Sequence, residues 1–374
     1  MAGTVNNEYD YESVMNAEKV STLKETDRKC PQCGGTMDFD PATGGLHCPF
    51  CDYTEEIKAG SAGNGPEKAE ELDFASAEQT GNCDWGTEQK TVTCKNCGAT
   101  SVYDALDVAN VCPYCGSNQV MEAAAVDTLA PGGVVPFKVT AKQAGEAFTK
   151  WLKKKWFCPG KAKKSAEADS FQGVYLPYWT FDSDTYTTYD AEYGKDRRVR
   201  RGKEETTVTD WYRTSGSYSE FIDDELVCGS DRHEKGILHS IEPFDTADNK
   251  AYKPEYLAGF VAERYSLGLK DAWEKAKEQI RKKLQNGISS QIRSQHAADH
   301  VRNIRMNTRH SNITYKYLML PIWLSSFEYN GKIYQFMVNG QSGKVGGKSP
   351  ISVLRVLLAI LLVIAIIVLL YNIS

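Results

Sequence analysis

Eight cysteines fall into two identical four-thiol patterns, and no other feature constrains the fold as tightly. Cys30 and Cys33 are followed, after fourteen residues, by Cys48 and Cys51; Cys94 and Cys97 are followed, after the same interval, by Cys112 and Cys115. The second set begins 64 residues after the first, the mark of an internal duplication. Two Cys-x-x-Cys knuckles can offer four thiolates to one tetrahedral Zn2+, and Gly34, Gly98 and Gly116 allow the tight turns that follow the cysteines. Fourteen residues are enough for a strand, a turn and a returning strand. The pattern therefore predicts two four-cysteine zinc ribbons, at 29–57 and 83–122, holding two Zn2+; iron bound by four thiolates has the same ligand set. Disulfides would need an oxidising compartment, and a thioredoxin-like motif would be single and would precede a helix. Units this small have little core, so the metal is expected to supply most of their folding free energy, on the order of 10–16 kcal/mol in zinc-finger peptides. Cys83, Cys158 and Cys228 stand outside the pattern and read as packed thiols, and His47 is not needed beside Cys48.

The other end of the chain is apolar. From Val356 to Leu370 no residue is polar, and Arg355 is the only charge in a run that reaches back to Ile351. About twenty helical residues span roughly 30 Å, the thickness of a bilayer's hydrocarbon core, so 351–371 is expected to be a transmembrane helix with Arg355 snorkelling to the interface. Lys344, Lys348 and Arg355 precede the run and only Tyr371 to Ser374 follow it. The positive-inside bias then places the bulk of the chain in the cytoplasm of a single-pass cell-membrane protein, with a short tail outside.

Charge divides the chain. Residues 1–130 carry eight Lys and Arg against 22 Asp and Glu, a balance of −14, and the whole chain of 374 residues is −5, so the remainder is +9. Each zinc–tetrathiolate centre would add −2. Ribbons this acidic would repel a duplex, because phosphate binding requires cationic contacts. A protein partner is expected above and membrane lipid below. Residues 1–28 read as an acidic disordered tail and 58–82 as a flexible linker around Gly60, Gly63 and Gly65.

From 131 to 348 the texture is that of an α+β domain. Ala144, Phe148, Trp151, Leu152 and Lys155 fall at helical spacing over about 141–157. Between Phe181 and Tyr193 the pattern alternates, with Asp182, Asp184, Asp190 and Glu192 on one face, read as solvent, and Phe181, Tyr189 and Tyr193 on the other. A helical region is expected from about Gly259 to Arg305, broken near Gly287. Leu320 to Trp323 then opens a hairpin whose Asn330-Gly331 turn sets Trp323 against Val338, Ser325 against Phe336 and Phe327 against Tyr334. Leu-Pro-x-Trp occurs at 176–179 and again at 320–323, which suggests two related helix-then-sheet halves. The fold class expected is therefore multidomain: two small β zinc ribbons, an α+β middle domain with this internal duplication, and one C-terminal transmembrane helix.

The paired ribbons, Trp151 to Phe157, Val174 to Trp179, Pro254 to Phe260 with Glu263 and Tyr265, and Tyr334 to Lys344 together resemble the bacterial "TFIIB-type zinc ribbon-containing" membrane protein family over nearly the whole chain. That resemblance implies zinc and a membrane setting, and in some relatives a connection with membrane-stress proteins of the phage-shock and SPFH type.

Catalytic motifs are not formed. Gly347-Lys348-Ser349 would need a glycine where Ser342 stands, and Pro350 follows at once. Four residues separate Glu234 from His239, so His233 and His239 do not fit a zincin helix. His296 and His300, with Asp299, read as an exposed helix face beside Arg293 and Arg302. The function expected is a non-enzymatic, membrane-anchored zinc-ribbon adaptor that recruits cytoplasmic proteins to the bacterial inner membrane. Its alternative is nucleic-acid binding, carried by Lys153–Lys164 and Arg197–Lys203 rather than by the ribbons.

Overall fold

Two segments of unusual length dominate the computed structural model: the thirty-residue strands Gln172–Arg201 and His300–Tyr329, each about 100 Å long if fully extended. The structure describes residues 30–35, 37–57, 67–76, 89–94, 100–104, 120–122, 131–165, 171–201, 204–231, 233–263 and 265–373. In chain order the strands are β1 Asp38–Asp40, β2 Gly45–His47, β3 Thr54–Glu55, β4 Leu72–Asp73, β5 Gln89–Cys94, β6 Thr100–Asp104, β7 Val120–Glu122, β8 Gly133–Val134, β9 Gln172–Arg201 and β10 Glu204–Cys228. They continue as β11 Lys250–Ala251, β12 Val261–Glu263, β13 His300–Tyr329, β14 Lys332–Asn339 and β15 Val345–Gly347. Among the described residues the α-helices are α1 Ala141–Lys154, α2 Gly160–Ser165, α3 Lys235–Ile241, α4 Leu269–His296 and α5 Val353–Ile373.

β1, β2 and β3 form a three-stranded sheet. The other twelve strands among the described residues form one sheet in which β11-β8-β13-β9-β12-β6-β5-β7 are successive neighbours, with β10 on β9, β14 between β13 and β15, and β4 on β13. The expected fold class is corrected by this arrangement. The chain is mostly β, built on one large and mainly antiparallel sheet, because β9 and β13 pair from Gln172 opposite Leu324 to Gly194 opposite His300. The two Leu-Pro-x-Trp segments are neighbours within that ladder, Leu176 opposite Leu320, and so belong to one sheet rather than to two halves.

In its first half the ladder is buried on both faces. Tyr175, Trp179, Phe181, Tyr315, Tyr317 and Trp323 face a core shared with α1 and the start of α4, while Val174, Leu176, Tyr178, Leu318, Leu320 and Ile322 face Ile237, Leu238 and Ile241 of α3. This explains why these stretches read as continuous apolar runs. Farther along only one face is covered, by Ile288 and Ile292 of α4 against Tyr189 and Ala191. The expected alternation appears there, with Ser183, Thr185, Thr187, Tyr189 and Ala191 buried and Asp184, Asp190 and their even-numbered neighbours exposed. Asp182 departs from that expectation and is buried.

α4 runs unbroken through Gly287. Ala276, Ile280, Leu284, Ile288 and Ile292 form its buried stripe at near-helical spacing. A Cβ on Gly287 would lie 2.4 Å from the Tyr218 hydroxyl, so the glycine admits a tyrosine rather than ending the helix. The 300–305 segment expected to be helical opens β13 instead, after Ala297 turns left-handed and closes α4. α1 begins with a capping box between Thr140 and Gln143. The Asn330-Gly331 turn forms with both residues at positive φ, and Trp323–Val338, Ser325–Phe336 and Phe327–Tyr334 are opposed in register.

The transmembrane expectation is also corrected. Among the described residues no helix is long and apolar enough to cross a membrane. α5 carries exposed apolar side chains along its length, Leu354, Leu357, Leu361 and Ile367 among them. Its first turn is tied to the body: the Ser352 N–H donates to Phe157 O at 2.8 Å, and Arg355, expected to snorkel, donates from Nη1 to the carbonyls of Trp156 and Cys158, each at 2.7 Å. The transmembrane helix at 351–371 and the single-pass cell-membrane localisation that followed from it are therefore not supported. Residues 1–29 lie outside the described residues. Within the segment read as a linker, residues 67–76 lie along the sheet, with the Phe74 ring against Phe181, Trp273 and Tyr315.

Two expected outcomes follow. A Cβ on Gly173 would stand 2.3 Å from Phe260 Cδ1 and 3.1 Å from Trp323 Cζ3, so Gly173→Ala should cost about 1–3 kcal/mol of overpacking in urea unfolding. His310 lies edge-on to Trp273, with ring centroids 5.2 Å apart, and burial followed by the Lys277 ammonium pushes its pKa down. A group depressed on folding binds more protons when unfolded, so its contribution is present above the usual histidine value of about 6.5 and is lost as pH falls through the folded value. Stability measured from pH 7 to 5 should fall, and His310→Gln should flatten that slope.

Candidate metal centre

Each knuckle of the first cysteine set is closed by the same pair of backbone bonds. The Gly34 N–H donates to Cys30 O at 2.8 Å and the Cys30 N–H to Gly35 O at 2.7 Å; the Asp52 N–H donates to Cys48 O at 2.9 Å and the Cys48 N–H to Tyr53 O at 2.8 Å. Both turns require a left-handed residue, Gly34 at φ 74° and Asp52 at φ 59°. The role of Asp52 is not legible beside Cys51, because only a glycine at that place signals the turn.

The turns bring four thiols together. Cys30, Cys33, Cys48 and Cys51 place their sulfur atoms within 4.8 Å of one another, a group that could hold a metal ion. Cys30 Sγ and Cys51 Sγ are 3.4 Å apart, and Cys33 Sγ and Cys48 Sγ 3.5 Å. A tetrahedron of metal–sulfur bonds near 2.3 Å has edges of about 3.8 Å, so small outward shifts would accommodate an ion. The thiols also oppose one another's ionisation. Burial works against the Cys30 thiolate, yet the backbone N–H groups of Cys33 and Gln32 and the Cys51 and Cys48 thiols bring Cys30 down to about 7. Cys51 receives help from the Tyr53 backbone but is pushed to about 12 by Cys30 and by burial. Four thiolates side by side require a cation.

β1 ties this site to the large sheet. The Phe39 N–H donates to Ala258 O at 3.0 Å, and the Phe39 ring lies 5.8 Å from Tyr256 and 6.3 Å from Phe260. Gly259 has φ 78°, and its Cα faces Asp38 so closely that a Cβ would stand 3.0 Å from the carboxylate. Phe260 stacks on Phe137 at 4.3 Å and packs against Trp323.

Of the second cysteine set, Cys97, Cys112 and Cys115 lie outside the described residues, and Cys94 is the last residue of β5. Strands β5, β6 and β7 of that region do not stand apart, since β6 pairs with β12 and so extends the large sheet. His47 meets Asp52 at 3.3 Å and is not part of the four-thiol group. His233 and His239 diverge: His233 is buried with Nε2 2.8 Å from Glu263, which also accepts from Ser230 Oγ at 2.7 Å, while His239 is exposed and meets Glu242. Glu263, adjacent in structure to residues thirty positions away, gives no local signal in the sequence. His296 stacks on Tyr193 at 4.2 Å, and His300 meets Asp196 at 3.0 Å. Cys158 and Cys228 are packed thiols, Cys228 pushed up to about 12 by burial.

Fold and site define a β-rich protein with a four-cysteine candidate metal centre docked against its main sheet. The chain belongs to the family of the uncharacterized protein YdjG of Bacillus subtilis (strain 168), to which it is 30% identical over 327 residues, 87% of this chain and 90% of that one. No family model matches the chain, and no solved structure matches it. Replacing Cys30 and Cys33 together by serine should lower the metal bound per chain by about one equivalent, measured by elemental analysis. Unchanged metal content would remove these thiols as ligands.

Proposed function

We propose that the chain is a zinc-organised, non-enzymatic adaptor that presents its metal-held knuckle to a partner protein. The observation that carries this reading is Phe50. It sits between Cys48 and Cys51, is 75% exposed, and lies over Gly35 of the opposite knuckle, where a Cβ would come within 2.5 Å of its ring. An exposed aromatic side chain on a rigid support is the usual form of an interface anchor. Four thiolates suit Zn2+ in a closed structural site with no open coordination position, and two such ions would serve the two cysteine sets; iron fits the same ligands. The second set carries Tyr114 at the place of Phe50.

The test uses the full chain with a photo-crosslinking phenylalanine analogue at position 50, irradiated in cells. Discrete protein adducts that survive nuclease treatment and vanish in the Cys30→Ser/Cys33→Ser variant are expected. Phe50→Ala should leave the bound zinc unchanged while abolishing association with the crosslinked partner. Absence of adducts, or adducts indifferent to the cysteines, would overturn the reading.

A second reading, nucleic-acid binding, is favoured by one observation. Beyond Gly194 the β9–β10 hairpin leaves β13 and continues as a two-stranded ribbon that exposes Arg197, Arg198 and Arg200. A two-stranded ribbon fits a major groove. Against this, Arg197 is engaged by Asp210 at 2.6 Å, and the opposing strand carries Glu204 and Glu205. A gel shift that weakens with salt and is lost in Arg198→Ala/Arg200→Ala would replace the first reading with this one.

A further inference from the structure

Where β10 passes beside Asp182, its register with β9 slips between Ile222 and Glu225, and Asp224 turns left-handed at φ 47°. β13 slips on the other side, between Ser311 and Thr314. The two irregularities face Asp182 from both neighbouring strands. The Asp224 N–H donates to Asp182 Oδ1 at 2.6 Å, Thr314 Oγ1 to Asp182 Oδ2 at 3.2 Å, and Thr246 Oγ1 to Asp224 Oδ2 at 2.6 Å. Asp182, Asp223 and Asp224 thereby each bring a carboxylate oxygen within 4.8 Å of the others, Asp182 only 3% exposed and Asp223 open to solvent.

Charge at this point is not balanced. The Lys316 ammonium is 2.8 Å from Asp224 Oδ1, 3.1 Å from Glu71 Oε1 and 3.7 Å from Asp182 Oδ2, so one cation serves three carboxylates, with Asp223 beside them. The consequences differ between the two buried acids. Asp224 is held below the usual range by Lys316 and Thr246 despite its burial, whereas Asp182 is raised, first by burial and then by the Asp224 and Glu71 charges. A second, separate observation comes from Thr180. It is fully buried, two residues before Asp182 on the same face of β9, and directly opposite Lys316. Its hydroxyl lies close enough to the Asp224 carboxylate to help hold it low, but makes no hydrogen bond of ordinary geometry with it or with any other described group. A buried hydroxyl beside surplus carboxylates is an oxygen donor in want of a cation.

We infer that Asp182, Asp223 and Asp224, with Thr180 Oγ1, form a binding site for a hard divalent cation of the Ca2+ class, distinct from the thiol centre. Oxygen atoms within 4.8 Å of one another are spanned by two Ca2+–O bonds of about 2.4 Å, and an all-oxygen donor set with several carboxylates is the Ca2+ preference. Soft ions would go to the cysteines instead, so the two sites sort metals by donor type. Binding leaves Lys316 to Glu71 and removes the repulsion among the three aspartates. It also pins β10 to β9 at the point where their ladder is interrupted.

The test titrates Ca2+ into the full-length protein as purified, with its thiol-bound metal left in place, and follows the melting temperature and Tb3+ luminescence sensitised by nearby aromatic rings such as Phe181, Tyr315 and Trp273. A saturable rise of several degrees is expected, with Tb3+ displaced by Ca2+. Asp223→Asn, at an exposed position, should fold and weaken Ca2+ at least tenfold; Asp182→Asn should weaken it further if it folds. Lys316→Met should keep or tighten Ca2+ binding, because it removes the competing ammonium. No shift up to about 10 mM Ca2+, beyond the weakest protein sites, would overturn the inference, as would a shift unchanged in Asp223→Asn. Loss of Ca2+ binding in Lys316→Met would likewise overturn it, by making the ammonium a structural requirement rather than a competitor.

Discussion

The pairing of β9 with β13 is the contact from which the rest of the molecule is hung. One ladder joins residues more than a hundred positions apart and positions β10, β12, β4, β8 and β14 along its length. Side chains alternate across a strand, so the register of this single pairing decides which residues enter which core. Trp179, Phe181 and Tyr315 lie on the α4 side and Leu176, Tyr178 and Leu320 on the α3 side. A slip of one residue would exchange the two sets, placing rings sized for the long helix against the short one. The Asn330-Gly331 turn holds β14 to that register at one end, and Asp299 N–H donating to Gly194 O holds the other.

The ladder is regular where it is apolar and irregular where it is charged. Its slips, between Arg302 and Arg305 and between Ser311 and Thr314, fall beside Glu192 and Asp182. A bulge frees backbone groups from the ladder and turns the local chain, which is how the N–H of Asp224 comes to serve a buried carboxylate. Buried charge is costly unless paired and hydrogen-bonded, and the bulges supply the donors that an unbroken ladder would have spent between strands. Buried carboxylates and sheet irregularity are therefore one phenomenon here.

Local features of the chain are readable to the extent that their causes are local. The Asn330-Gly331 hairpin and its three facing pairs are set by turn chemistry, the 141–154 helix by spacing and the Thr140 cap, and the first four-thiol group by the Cys-x-x-Cys turns. Length is not readable. β9 runs through segments buried on two faces, then on one, then exposed, and each stretch has a different pattern. Gly287 reads as a helix break because its reason, the Tyr218 ring, lies 69 positions away. Asp182 reads as solvent-facing because strand parity says nothing about a neighbouring bulge. Composition alone weighs the apolar run at the C-terminus, while the ties of Ser352 and Arg355 to the 156–158 loop are tertiary. His233, Ser230 and Glu263 meet only after β12 docks on β9.

The same docking gives the four-thiol site a route into the sheet. Phe39, between the two knuckles, is bound through its backbone to Ala258; the next residue, Gly259, needs a left-handed turn and no side chain to pass Asp38; the one after, Phe260, stacks on Phe137 and fills the space that Gly173 leaves on β9. Three consecutive residues thus translate the position of β1 into the position of an aromatic ring in the main core. Zinc-type sites hold small folds together through their ligands, so an ion at the four thiols would fix β1 and, through it, this ring. The ring in turn packs on Trp323, whose indole N–H donates to Val139 O just ahead of the α1 cap. A site built only for its own stability would need no such chain of close contacts. That the three-stranded sheet is keyed into the twelve-stranded one at glycines that admit no side chain argues that the four-thiol site and the main sheet act as one body, with Phe50 exposed on it.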